Sequence, residues 1–161
     1  VDFTIESYVA VGPLRFGVSV EHARSALPLP AKAFMKAPFS AFPTDNFASE
    51  IRVHYRPPGI VTAVEVFVPA RAFFQGEGFL GHPYRTCLDW LRQRDPTLTE
   101  EAAGCTSRAL GIGFSAPGAQ KQPDDTVQGV IAFERGYYDH PEWSVNAEKW
   151  AELTARYRRP K

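Results

Sequence analysis

Apolar and polar residues alternate along Ile51-Arg-Val-His-Tyr-Arg-Pro-Pro-Gly59, with Ile51, Val53 and Tyr55 on one side and Arg52, His54 and Arg56 on the other. A period of two predicts a half-buried strand, because successive side chains of a strand point to opposite faces. The closing Pro-Gly supplies one fixed and one permissive φ, which is the chemistry of a turn. The pattern returns in Leu110-Gly-Ile-Gly-Phe-Ser-Ala-Pro-Gly118, pairing Ile51 with Leu110, Val53 with Ile112 and Tyr55 with Phe114. After each turn the similarity resumes. Ile60 to Phe67 resembles Thr126 to Phe133, the second copy first inserting Ala119 to Asp125 as a polar surface loop. Val64, Val66 and Val68 are expected on one face of the first of these strands, and Val61, Ala63 and Phe67 on the other around Glu65, so the strand reads as interior to its sheet.

Helical spacing precedes each hairpin. Ser19 can cap a helix over Val20 to Leu27, and Pro83 can open one in which Tyr84, Cys87, Leu88 and Leu91 share a stripe and Asp95-Pro96 marks the end. Phe3, Ile5, Ser7 and Val9 alternate as an N-terminal strand, Leu14 to Phe16 suggests a short one, and Ala72 to Gln75 is expected to continue the first sheet. A last helix at about 145–158 places Ala147, Trp150, Ala151, Thr154 and Tyr157 on one stripe.

These elements predict an α+β fold: a tandem repeat of helix plus β-hairpin (12–80 and 81–138) in a single domain, 1–161, forming one antiparallel sheet with helices on one face and a C-terminal helix. Pro28 to Asn46 has no period, holds four prolines and carries Phe34, Phe39 and Phe42. It reads as a long loop, its rings either tucked beneath as a satellite core or exposed for binding.

Composition narrows the function. The chain has 161 residues, 44% of them hydrophobic, and 18 basic residues balance 18 acidic ones. A core is affordable at this size without disulfides or metal, and a neutral chain lacks the field that draws in phosphate backbones or anionic lipid, so neither nucleic acid nor membrane is expected as a partner. Arg156, Arg158, Arg159 and Lys161 read as a solvated tail. Two cysteines, Cys87 and Cys105, make no framework and no C-x-x-C pair. With an opening that has no basic and apolar signal pattern and no run of about 18 apolar residues, this leads to the expectation of a mature cytoplasmic protein.

Catalytic and cofactor motifs are sparse. Gly113-Phe114-Ser115-Ala116-Pro117-Gly118 comes near a nucleophile elbow, but Pro117 stands at the second glycine, and the repeat explains Ser115 as the counterpart of Arg56 at a strand exit. Gly111-Ile112-Gly113 is too short for a dinucleotide fingerprint and reads as a thinned strand face that another backbone can approach. His22, His54, His82 and His140 are scattered, with no metal-ligand spacing. No cofactor, metal or catalytic residue is expected.

Two groups remain as candidates for recognising a partner. Arg52, His54 and Arg56 form either a solvated strand face or a basic stripe for an acidic partner. Gly136-Tyr137-Tyr138-Asp139-His140-Pro141-Glu142-Trp143 packs three aromatic rings and two carboxylates into a connection. Tyr and Trp combine large contact area with a polar handle and are enriched in binding hot spots, although these rings can equally pack beneath a helix begun by Pro141. The candidate partner-binding residues are therefore Tyr137, Tyr138, Asp139, His140, Trp143, Phe39, Phe42, Arg52, His54 and Arg56.

At Val11-Gly12-Pro13-Leu14-Arg15-Phe16-Gly17-Val18-Ser19, followed by a short helix, the chain resembles a bacterial group whose members open with a Gly-x-Leu-x-Phe-Gly-Met-Ser motif, several of them predicted immunity proteins encoded beside polymorphic toxins. The likeness continues through Phe47, Ile51 to Tyr55, Val61 to Phe67, Leu80-Gly81-His82-Pro83 and Leu110 to Phe114. Val18 stands where the group has methionine, and Leu27-Pro28 where it has Leu-Gly. The repeated helix and hairpin also look like the architecture of beta-lactamase inhibitor protein and of small outer-membrane assembly lipoproteins, whose sheets can present a broad concave platform. The resemblance implies an immunity protein that binds a cognate toxin and occludes its active site. Two other classes stay open: a small hydrolase assembling Asp139 and His140 only in the fold, and a self-associating scaffold.

Overall fold

A computed structural model describes residues 2–35, 43–122 and 124–139, and within them the chain is α+β, dominated by strands. The expected C-terminal helix at about 145–158 lies outside the described residues. In chain order the elements are β1 (Asp2–Glu6), β2 (Ala10–Val11), β3 (Leu14–Arg15), α1 (Val20–Ala26), β4 (Ala31–Phe34), β5 (Thr44–Phe47), β6 (Ile51–Arg56), β7 (Ile60–Phe67), β8 (Arg71–Phe74) and β9 (Glu77–Gly78). Then follow α2 (Tyr84–Arg94), β10 (Thr99–Glu101), β11 (Gly104–Ser107), β12 (Ile112–Ser115), β13 (Gly129–Phe133) and a 3₁₀ turn at Tyr137–Asp139.

The larger sheet has eight strands in the order β10-β11-β12-β13-β7-β6-β5-β4, each antiparallel to its neighbours. It consists of two four-stranded meanders, each preceded in the chain by a helix, joined where β13 lies against β7. Each half is thus longer than one hairpin. Strand β4 and all but the last residue of β5 fall inside the segment from Pro28 to Asn46 that reads as a loop. Ala31-Lys-Ala-Phe and Thr44-Asp-Asn-Phe carry too few apolar residues to show a period. The edge strand β10 is exposed at all three positions, so its Thr-Glu-Glu has no apolar signature either.

The second sheet, β3-β2-β1-β8-β9, has five strands, and β1 runs parallel to β8, pairing Asp2 with Arg71 and Ile5 with Phe74. The strand expected around Ala72 to Gln75 therefore belongs here and does not extend the first hairpin's sheet. Val68-Pro69 turns the chain away after β7, and proline brings no N–H to a ladder; the turn closes with the Ala70 N–H donating to the Phe67 carbonyl at 3.0 Å.

Within the β6–β7 hairpin, Tyr55 faces Val61 while His54 faces Ala63, leaving Thr62 as an extra residue. This bulge rotates Val61 to the side of Val64 and Val66, away from the side the simple alternation assigns it. Val68, expected beside them, lies beyond the strand and is exposed.

One face of the large sheet is buried. It carries Phe47, Ile51, Val53, Val64, Val66, Ile112, Phe114, Val130 and Ala132, and both helices reach it. From α1, Arg24 holds the Asp45 carboxylate with Nε at 2.8 Å and Nη2 at 2.9 Å. From α2, the buried Tyr84, Cys87 and Leu91 join the same apolar cluster, as do Phe3, Ile5, Val11 and Leu14 of the small sheet. Phe79 bridges them, its ring 4.6 Å from Phe114 and 5.0 Å from Trp90 of α2. The Ser19 hydroxyl caps α1 by accepting from the His22 N–H at 3.1 Å. At the far end of α2, the buried Asp95 accepts from Ser107 Oγ at 2.7 Å and from the Thr97 N–H at 3.0 Å, fastening the helix end to β11. Among the described residues no helix is long and apolar enough to cross a membrane.

Candidate functional site

Because alternate strand residues point to opposite faces, the registers that send Ile51, Val53, Val64 and Val130 into the core send their neighbours to the other side. That opposite face collects Arg52, His54 and Arg56 from β6, Glu65 and Phe67 from β7, and Gly129 and Ile131 from β13. Gly113 and Ser115 of β12, Gly104 and Thr106 of β11 and Glu101 of β10 extend it, and Phe34 of β4 stands at its other end. Arg52, Glu65, Phe67, Ile131, Ser115 and Thr106 all keep solvent contact.

The basic residues on this face are not equivalent. His54 is buried, its Nε2 2.6 Å from Glu65 Oε1, and the Arg56 guanidinium is bonded to Glu134, which also accepts from Thr62 Oγ1 at 3.2 Å. Two of the three basic residues are therefore already engaged by carboxylates, and His54 is not on a solvated face. Arg52 differs. It is exposed, directly opposite Glu65 in the ladder, and its guanidinium lies 4.8 Å from the Phe67 ring centre and 5.7 Å from that of Phe34, a rigid aromatic cradle for a planar cation.

At the other end the 3₁₀ turn leans over the sheet. Tyr137 stacks on Phe133 with ring centres 5.7 Å apart, and Tyr138 meets Phe133 edge-on at 4.9 Å. Burial pushes the Tyr137 hydroxyl well above the ordinary phenol range, helped by Tyr138 and Glu65. Tyr138 is 40% exposed; burial raises its hydroxyl too, opposed by a hydrogen bond with Thr106 and reinforced by the nearby carboxylates of Glu101 and Glu65. Asp139 is exposed, 3.3 Å from the Arg108 guanidinium, which lies 5.4 Å from the Tyr138 ring. Tyr8, at the tip between β1 and β2 with φ of 61°, packs edge-on against Phe133 at 6.3 Å with Arg135 4.2 Å from its ring. Gly111 makes that contact possible: a Cβ there would stand 2.9 Å from the Tyr8 ring.

Between the tyrosines and the strands lies a hollow of about 330 Å³, whose walls include Glu65, Glu101, Ile131, Tyr137 and Tyr138. Its floor is low because Gly104 and Gly129 carry no side chains, and Gly113 lies near them on the same face. A Cβ at Gly104 would fall 1.9 Å from the Phe114 carbonyl oxygen, and one at Gly113 2.9 Å from that of Cys105. Ser115 is among the described residues that line the hollow. A larger groove of about 570 Å³ runs between α2 and β10, where Arg92 bridges to Glu100 at 3.1 Å and Arg85 and Asp89 add mixed charge. Among the described residues no three of His, Cys, Asp and Glu come together as a metal-ligand set.

Comparison with protein-family models, with curated proteins and with solved structures finds no match to the chain. The site must therefore be read from its own chemistry. Of the residues singled out from the sequence, Arg52, His54, Arg56, Tyr137 and Tyr138 come to one face, and Asp139 stands at its rim. His140, Trp143, Phe39 and Phe42 lie outside the described residues. Sequence reasoning missed Glu65, Phe34, Phe67, Ile131 and Glu101 as members of the site. The alternation of Glu65 and Phe67 with the valines of β7 was legible, but a plain hairpin closed at Pro57-Pro58-Gly59 would set Arg52 opposite Val64, and the bulge at Thr62 is what brings Glu65 there; Glu101, on an edge strand without a period, had no such signal.

Proposed function

We propose that this chain is a protein-binding module that closes its open sheet face over a cognate toxin domain, and so acts as an immunity protein by occluding the toxin's active site. The observation that carries the reading is the face itself, where an eight-stranded sheet covered on one side presents on the other an arginine between two phenylalanines, a glycine-floored hollow and a pair of tyrosines. Arginine and the aromatic residues are the types enriched where binding energy concentrates. A sheet is also a rigid support, so little ordering entropy is lost when such a face docks.

The helix-plus-meander order of both halves supports the further reading of an internal duplication similar to beta-lactamase inhibitor protein, with the two copies building one platform. The resemblance of the Gly12 to Ser19 segment to the immunity-protein group supports a toxin as the partner, acting in the cytoplasm. The test is co-expression with the product of the adjacent gene. Protection of the cells together with a stable one-to-one complex is the expected result. Absence of both toxicity and complex would overturn it and return the question to an enzyme or, if mass rises with concentration, to a self-associating scaffold.

A further inference from the structure

The binding face is not uniform, and its most shaped feature is the hollow under Tyr137 and Tyr138. Two glycines, Gly104 and Gly129, line its floor, so backbone and not side chain sets its depth there, and a Cβ at either would meet a close neighbour, the Phe114 carbonyl oxygen at 1.9 Å or the Phe67 ring at 3.0 Å. At about 330 Å³ it lies at the small end of the range for ligand pockets, roughly 300–1,000 Å³. It is open on one side and suits one inserted side chain better than a free cofactor. Its ionisable walls are one-sided. Among the described residues that line it, Glu65 and Glu101 contribute carboxylates and no lysine or arginine occurs, and Tyr137, Tyr138, Ile131, Thr106 and Ser115 are among the other walls. Glu101 is exposed on the edge strand β10 and faces Gly104 across the ladder, while Glu65 is already in contact with His54.

A carboxylate beside aromatic faces is the surrounding that a cationic side chain prefers, through charge-assisted hydrogen bonds at its head and cation–π contact along its flank. We propose that the hollow is the seat of a single basic side chain, arginine or lysine, presented by the partner protein, with its charge set against Glu101 and Glu65 and its stem between Tyr138 and Ile131. This rests on the reading of the open face as the partner-binding surface, and adds to it the chemistry the partner must carry. Glu101 on β10 and the exposed Arg52 on β6, with β11, β12, β13 and β7 between them, give the face a polarity, which fixes the orientation in which a partner of opposite pattern can dock.

Two measurements test the proposal separately from the immunity reading. In the first, Nα-acetyl-arginine amide is titrated into the whole protein, with the uncharged isostere Nα-acetyl-citrulline amide as control, and backbone amide resonances are followed. Arginine is expected to shift Gly104, Gly113 and Gly129, citrulline to leave them unmoved, and Glu101→Gln to abolish the response. In the second, the complex from co-expression is measured with Glu101→Gln and with Ser115→Leu, which fills the hollow. Each is expected to weaken it by about tenfold or more, the loss of one charge-assisted contact, with the free protein's thermal midpoint unchanged. A complex unaffected by both variants, with no arginine-specific shifts, overturns the hollow proposal and leaves the immunity reading standing. Arginine-specific shifts without any toxin complex support the hollow and remove the immunity reading.

Discussion

At the scale of single residues, the structure divides the two tyrosines that the sequence presents as equals. Tyr137 lies flat against the buried Phe133, whereas Tyr138 touches the same ring only by its edge and keeps 40% of its surface exposed. Tyr138→Ala is expected to cost about 2 kcal/mol of partner binding, as a hot-spot residue does, with little change in melting temperature. Tyr137→Ala is expected to lower the melting temperature as well, because its ring covers the buried Phe133; calorimetry alongside a binding titration separates the two. A second residue-scale prediction concerns Asp95. Burial opposes its ionised form, but the hydrogen bonds from Thr97 and Ser107 outweigh it and hold the carboxyl below its usual pKa. A group whose folded pKa is depressed contributes stability that is present above its unfolded value, about 3.9, and is lost as pH falls through the folded value. Asp95→Asn is therefore expected to flatten the fall of the melting temperature below about pH 4, and to destabilise the protein at pH 7.

At the scale of elements, α1 is fastened to the large sheet by one buried acid. Asp45, fully buried, receives two hydrogen bonds from Arg24 and one from the Tyr55 hydroxyl at 2.7 Å. Replacing it with alanine leaves the tyrosine hydroxyl buried without its acceptor, so Asp45→Ala is expected to cost about 2–3 kcal/mol by chemical denaturation. Arg24→Ala should cost less, since that side chain is half exposed and water can take its place beside the carboxylate. Strand β11 depends on backbone proximity instead. Gly104→Ala would press a methyl group against the Phe114 carbonyl, and is expected to destabilise the protein by about 2–3 kcal/mol. Loss of amide protection confined at first to β10 and β11 would identify the cause.

At the scale of the whole molecule, the join between the two meanders decides how the protein unfolds. β7 and β13 pair over five positions, with Val66 opposite Val130 and Val64 opposite Ala132, all buried. A join with that much core leaves neither half a complete sheet by itself, so the amides of β6–β7 and β12–β13 are expected to exchange with similar, globally limited protection. A difference of more than about 2 kcal/mol between the halves, within the range that separate foldons span, would show that they open independently. The same join brings Arg52 and the hollow onto one surface, so a substitution that separates the halves should abolish partner binding even where each retains secondary structure.

What the sequence determined by itself were the elements whose pattern is local. The alternation in Ile51 to Arg56 and Ile60 to Phe67, the Pro-Gly turn between them, the Ser19 cap and the stripe of α2 each follow from neighbouring residues and backbone sterics, and each lies where that chemistry puts it. The grouping of Arg52, His54 and Arg56 on one strand face was legible for the same reason. The tertiary structure alone decided that His54 and Arg56 would be engaged by Glu65 and Glu134, residues 11 and 78 positions away. It also decided that β8 would leave its hairpin to lie parallel to β1, that the Thr62 bulge would turn Val61 inward, and that Glu101 would reach the tyrosines after β13. The physical reason is common to all four: strand pairing and ion pairing between distant segments are set by register and burial, quantities that belong to the assembled sheet and leave no periodic trace in the segments that meet there.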